Sequence, residues 1–124
     1  MKEIKQYEEA IANKVTNLED EGINRTMFKA YRHSRRAGSD DLNFDDIVWD
    51  TDVEYIVNTC RAEGIEQMTV SSTFSSLTEA IWEMIAKGCT VEGMKLVPTT
   101  NTYYDEQTDT YVREKVPAFI IKIN

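Results

Sequence analysis

No stretch constrains the fold more than Gln67 to Gly88 (QMTVSSTFSSLTEAIWEMIAKG), where a strand signal, a turn signal and a helix signal follow one another. Ile65, Met68 and Val70 form a short β-prone run, and the hydroxyl cluster Ser71 to Ser76 breaks it. Leu77, Ala80, Ile81, Met84 and Ile85 then recur at the spacing that places apolar side chains on one face of an α-helix. Ser76 and Glu79 stand at capping-box spacing, and Gly88 offers the left-handed residue that ends a helix. The expectation is a strand near 66–71 and a helix near 76–87 that packs on a sheet. Leu77, Ile81, Met84 and Ile85 should enter the core with Ile56, Val57 and Ile121.

Upstream, Ile4, Tyr7, Ile11, Val15 and Leu18 predict an amphipathic helix over 2–21. Asn24 as N-cap and Gly38 as stop bracket a second over 24–37. Arg25, Lys29, Arg32 and Arg36 line one face of it as a basic stripe with His33 and Arg35 beside them. The stripe reads either as a solvated face pairing with nearby carboxylates or as a contact for phosphate or an acidic partner. Asn43 can start one short helical turn, and Thr51 with Glu54, again at capping-box spacing, opens a third helix over 51–63.

Downstream of Gly88, β-prone runs fall near 90–97, 101–104, 110–112 and 118–123. The polar cluster Asp105 to Asp109 marks a hairpin turn, and the apolar last run suits the inside of a sheet. If the strands near 66–71 and 90–97 are neighbours, the helix between them makes them parallel. The class is therefore α+β: one domain over 1–124, with N-terminal helices, a β-α-β crossover and a C-terminal antiparallel hairpin and strand.

Charge is unevenly distributed. The 124 residues carry a net −8, made of +2 over 1–37, −8 over 38–66 and −2 over 67–124. Such a chain forgoes the counterion-release term of phosphate-backbone binding, so direct nucleic-acid binding is not expected and basic protein surfaces are the favoured partners. No apolar run approaches the ~20 residues of a membrane span, and no secretory signal is visible, so the expected location is cytoplasmic. Cys60 and Cys89 lack CxxC or Cys/His spacing and read as reduced, buried thiols.

Two sets of residues are candidate sites. Asp40, Asp41, Asp45 and Asp46 lie among Leu42, Phe44, Ile47, Val48 and Trp49, whose docking on the core would hold the carboxylates outward as a fixed acidic face for a basic partner. A calcium loop beginning at Asp41 fails, because Asp46 occupies the position that needs glycine and Asp52 replaces the bidentate Glu. The alternative is Ser71, Ser72, Thr73, Ser75 and Ser76, at a strand's carboxyl end and a helix's amino end, where small ligands and anions bind in α/β sheets. Those hydroxyls are equally good helix caps. No cofactor fingerprint, metal-ligand spacing or nucleophile with a base within reach is present, and His33 is the only histidine. The expected protein is therefore not an enzyme.

The stretch TVSSTFSSLTEAIWEMIAKGCTVEGMKLV, preceded by DIVWDTDVEYIVNTCRAEGI, resembles a family of small uncharacterised proteins encoded on phage, plasmid and conjugative elements of Firmicutes. The resemblance covers about Phe44 to Val97. It implies an accessory protein of a mobile element, of a kind whose small acidic members antagonise host defence or nucleic-acid-handling proteins.

Overall fold

Asn24 begins the first fully specified element. Its backbone is extended and its Oδ1 accepts the Met27 N–H at 3.0 Å, satisfying one of the free donors of α2, Arg25–Ala37. Gly38, left-handed at φ 69°, ends that helix. The computed structural model describes all residues 1–124. It contains α1 (Lys5–Ala12), α2, β1 (Leu42–Phe44), α3 (Val53–Ala62), β2 (Gln67–Val70), α4 (Leu77–Ala86), β3 (Thr90–Asp105) and β4 (Thr110–Lys122). The α+β class with a C-terminal antiparallel hairpin is as expected from the sequence.

The four strands form one sheet in the order β1-β2-β4-β3. β1 and β2 are parallel, joined through α3, and Leu42, Asn43 and Phe44 sit opposite Met68, Thr69 and Val70. β4 is antiparallel to both β2 and β3. The strand of Met68 and the strand of Met94 therefore run in the same direction without touching, and the expectation that they are neighbours is corrected. β4 is the strand between them. It is suited to that place because Ala118 to Ile121 is apolar and Pro117, which lacks an N–H donor, lies just outside the stretch Phe119 to Lys122 that β2 pairs with.

Three local expectations also change. The first helix is only Lys5–Ala12: the chain turns at Lys14, left-handed at φ 52°, although Ile11, Val15 and Leu18 still pack on the core. The turn expected at Asn43 is instead the strand β1. The downstream runs 90–97 and 101–104 are one strand, as are 110–112 and 118–123, bridged by a register shift between Pro98 and Thr102. The turn at Asp105 to Asp109 forms as expected, with the Asp105 carboxylate accepting the Gln107 N–H at 2.9 Å.

One main core joins Ile4, Tyr7, Met27, Phe28 and Tyr31 of the N-terminal helices to Leu42, Phe44, Met68, Val70 and Ile121 of the sheet, and to Ile56, Val57, Cys60 and Met84. Burial of α4 differs from its sequence periodicity. Ala80 and Met84 are buried and Leu77 and Ile81 half-buried, whereas Ile85 is 52% exposed and lies outside the core.

Neither capping box forms. Ser76 has helical backbone angles (φ −68°, ψ −11°) rather than the extended ones a cap needs, and its Oγ is buried without a partner. α3 is preceded by a 3₁₀ turn at Asp50–Asp52. The Asp52 carboxylate accepts Asn24 Nδ2 at 2.9 Å and Thr26 Oγ1 at 2.8 Å, tying the starts of α2 and α3 together.

Candidate functional site

The acidic segment is built into the fold by its apolar members: Leu42, Phe44 and Val48 are buried. Three of its four candidate aspartates, however, meet basic side chains of the same chain. Asp41, on the loop into β1, accepts Lys95 Nζ of β3 at 2.6 Å and Gln67 Nε2 at 3.2 Å. Asp45 faces His33 Nδ1 at 3.3 Å, and Asp46 is bound by Lys29, both from α2. The Lys29 ammonium, with the Ile47 backbone N–H, holds the Asp46 carboxyl below the usual carboxylate range. Of the four candidate aspartates, only Asp40 is exposed and unpaired. The other three act first as ties between the segment, α2 and the sheet.

Behind these pairs lies a buried polar cluster. Asn43 projects to the sheet face opposite Leu42 and Phe44, where its Oδ1 accepts Thr69 Oγ1 at 2.9 Å and its Nδ2 donates to Ser71 Oγ at 3.0 Å. Ser34 Oγ of α2 accepts the Asn43 N–H at 2.8 Å. This cluster fixes the carboxyl ends of β1 and β2, and with them the start of the hydroxyl-rich turn.

That turn borders a groove of about 490 Å³, floored by Val70, Met94 and Phe119, with Ser71, Ser72, Thr73 and Asp45 along it. Ser75 and Ser76 do not line it. The backbone N–H groups of Ser71 and Ser72 both donate to the Phe44 carbonyl, at 2.9 and 3.1 Å. With those donors occupied, no cation in the lining and a carboxylate present, the groove is unsuited to the anion expected from its position. Its hydroxyls and apolar floor match a neutral or cationic small molecule.

The sheet face that carries Ile121 and Phe119 is exposed over part of β3. Val91 and Met94 are the cross-strand partners of Ile121 and Phe119, so they share that face, but Met94 is 57% exposed, and Leu96 62%. Trp82 and Ile85, three residues apart on α4 and so neighbours on its surface, add to the exposed apolar area, Trp82 at 74%. β3 is also an edge strand. None of these residues carries a charge that sequence reasoning could have followed. The signal missed was that Trp82 and Ile85 sit off the α4 stripe centred on Ala80 and Met84.

The two thiols belong to the core rather than to a site. Cys60 and Cys89 are free, burial pushes the Cys60 thiol up to about 12, and burial raises Cys89 as well. No helix is long and apolar enough to cross a membrane.

Neither a curated protein nor a solved structure matches this chain. A family profile does, over residues 26–123, from α2 through the sheet to β4 and including both candidate sites. The chain therefore belongs to the family described as Domain of unknown function (DUF7698).

Proposed function

We propose that this chain is a non-enzymatic, acidic accessory domain that docks a basic protein through the apolar face of β3 and α4. The observation that carries the reading is the exposed apolar area of these two elements: Met94 and Leu96 on β3, a strand with a free edge, and Trp82 and Ile85 on α4 are each more than half exposed. Large exposed apolar side chains such as these mark interaction sites when a partner covers them, and Trp is among the residues enriched where binding energy concentrates. The net charge of −8 favours a basic partner, with Glu92 on the same strand and Asp40 free to meet it. The resemblance to mobile-element proteins supports a host defence or nucleic-acid-handling protein as that partner, met in the cytoplasm. On this reading Asp41, Asp45 and Asp46 hold the fold, and the acidic contribution to binding comes from the unpaired carboxylates.

The test is affinity capture from the natural host, comparing the parent with Leu96→Glu and Trp82→Ala at low and high salt. A basic protein retained by the parent, lost with both variants and weakened by salt supports the reading. Equal retention by both variants refutes it. So does light scattering that shows a dimer of this chain dissociated by Leu96→Glu, because the face would then be occupied by a second copy. A second reading, favoured by the groove beside Ser71, Ser72 and Thr73, is a small-ligand domain for a neutral or cationic molecule. A thermal shift with such a compound that Ser72→Ala removes would support it.

A further inference from the structure

In a chain of net charge −8, three arginines on α2 have no acidic partner. The ion pairs are Lys29 with Asp46, Arg35 with Glu8 and Lys95 with Asp41, and the His33 ring faces Asp45. Arg25, Arg32 and Arg36 have no carboxylate within 4.0 Å, and their guanidinium groups donate no hydrogen bond within the chain. The charge of the stripe is therefore only partly spent on the protein's own carboxylates: of the basic residues along and beside it, only Lys29, His33 and Arg35 meet one.

These arginines are not scattered on a convex surface. Arg25, Arg32 and Arg36 line a groove of about 360 Å³ between α2 and the segment after α1, where Val15 and Leu18 form an apolar wall. Lys29 and His33 border the same groove. The Arg32 guanidinium stands over the Phe28 ring, 5.8 Å from its centroid, a cation–π contact that restricts its rotamers before any ligand arrives. Phe28 is itself buried, so this contact anchors Arg32 to the core.

We infer that this groove binds a phosphorylated small molecule, with phosphate oxygens on Arg25, Arg32 and Arg36 and the organic part against Val15 and Leu18. Guanidinium groups match phosphate with two parallel N–H donors, and three on one wall can take a mono- or diphosphate without proton exchange. The volume lies at the lower end of small-ligand sites, ~300–1,000 Å³. A nucleic acid would present phosphates along its length to a protein of opposite preference, so the acidic remainder of the surface selects against a polyanion and leaves a compact one. The site is independent of the β3 and α4 face, and its failure would leave that reading untouched.

The experiment is a calorimetric and NMR titration of the full chain with pyrophosphate, ADP and a single-stranded oligonucleotide, each against sodium chloride of equal ionic strength. Saturable binding of pyrophosphate or ADP that moves the Arg Nε–H resonances of Arg25, Arg32 and Arg36 supports the proposal. Tighter binding of ADP points to a nucleotide-like ligand, and equal binding to the phosphate group alone. Arg32→Gln with Arg36→Gln should weaken Kd by about tenfold or more, the worth of a charge-assisted hydrogen bond, while Lys115→Gln leaves it unchanged. A shift reproduced by sodium chloride, binding unaltered in the arginine variant, no binding to either phosphate probe, or tighter binding of the oligonucleotide than of ADP would overturn it.

Discussion

Replacing Asn43 with Ala tests whether the buried polar cluster is one cooperative unit. Asn43 is 6% exposed and its amide makes two side-chain bonds, accepting from Thr69 Oγ1 at 2.9 Å and donating to Ser71 Oγ at 3.0 Å. The two partners respond differently to its loss. Ser71 is half-buried and can recruit water, so losing that bond costs about 1 kcal/mol, the usual net worth of one hydrogen bond. Thr69 is fully buried, and its stranded hydroxyl costs ~1–3 kcal/mol in desolvation that nothing repays. Asn43→Ala should therefore destabilise by roughly 2–4 kcal/mol, a fall in Tm on the order of 10 °C for a domain of this size. The decisive assay is a double-mutant cycle by urea denaturation with Thr69→Val. With the hydroxyl gone, little remains for Asn43→Ala to strand, so the double variant should be more stable than the sum of the singles by ~1–2 kcal/mol. If the two losses add to within about 0.3 kcal/mol, the coupling does not exist and the reasoning from burial fails.

Three further outcomes follow from geometry already described. Ser76→Ala should be neutral or stabilising in thermal melts, because its Oγ is buried without a partner; a loss of ~1 kcal/mol, typical of a deleted N-cap, would show that Ser76 caps α4 after all. Cys60 and Cys89 should react with a thiol reagent at neutral pH only as fast as the chain opens, since burial raises both thiols; stoichiometric labelling of the folded protein within the mixing time would refute this. Because the Lys29 contact holds the folded Asp46 carboxyl below its ordinary value of 3.8, its contribution is present above that value and lost as pH falls through the lower folded one. Exposure and screening make it small, so Lys29→Gln should flatten the acid limb of the stability curve only slightly, and an unchanged limb in 10 mM salt would remove the pair from the account.

What the sequence made legible was decided by how local each cause is. Asn24 and Gly38 bracket α2 through contacts within a few residues, and the Asp105 turn is equally self-contained. Elements whose ends depend on distant partners were read less well. The apolar repeat of α1 continues past Ala12 because Val15 and Leu18 pack on the same core after the chain has turned, so periodicity alone runs the helix on to Glu21. β1 is three residues long, too short for alternation to show among aspartates, and it exists because β2 pairs with it. The capping boxes had the right residues at the right spacing, but a cap requires an extended backbone at Ser76, and the chain enters α4 already helical. Among the candidate sites, the Asp41 to Lys95 pair spans 54 positions and the groove beside Ser71 is completed by β3 and β4. No window on the sequence contains both halves of either. The basic stripe was visible as spacing, whereas which of its members remain unpaired was a property of the folded surface alone.

The position of β4 bears on how the protein is made. Of the four strands it is the last to be synthesised, yet it lies between the two that precede it. While a ribosome is still adding residues 110–122, β2 has only the three-residue β1 beside it and β3 has no partner at all. From the addition of residue 105 until β4 is complete, the chain thus carries a long unpaired strand with Met94 and Leu96 on it. Such a strand is a target for chaperones and for other nascent copies on the same message. Folding of the sheet is consequently a single late event, in which β4 enters a gap that the earlier residues can only hold open.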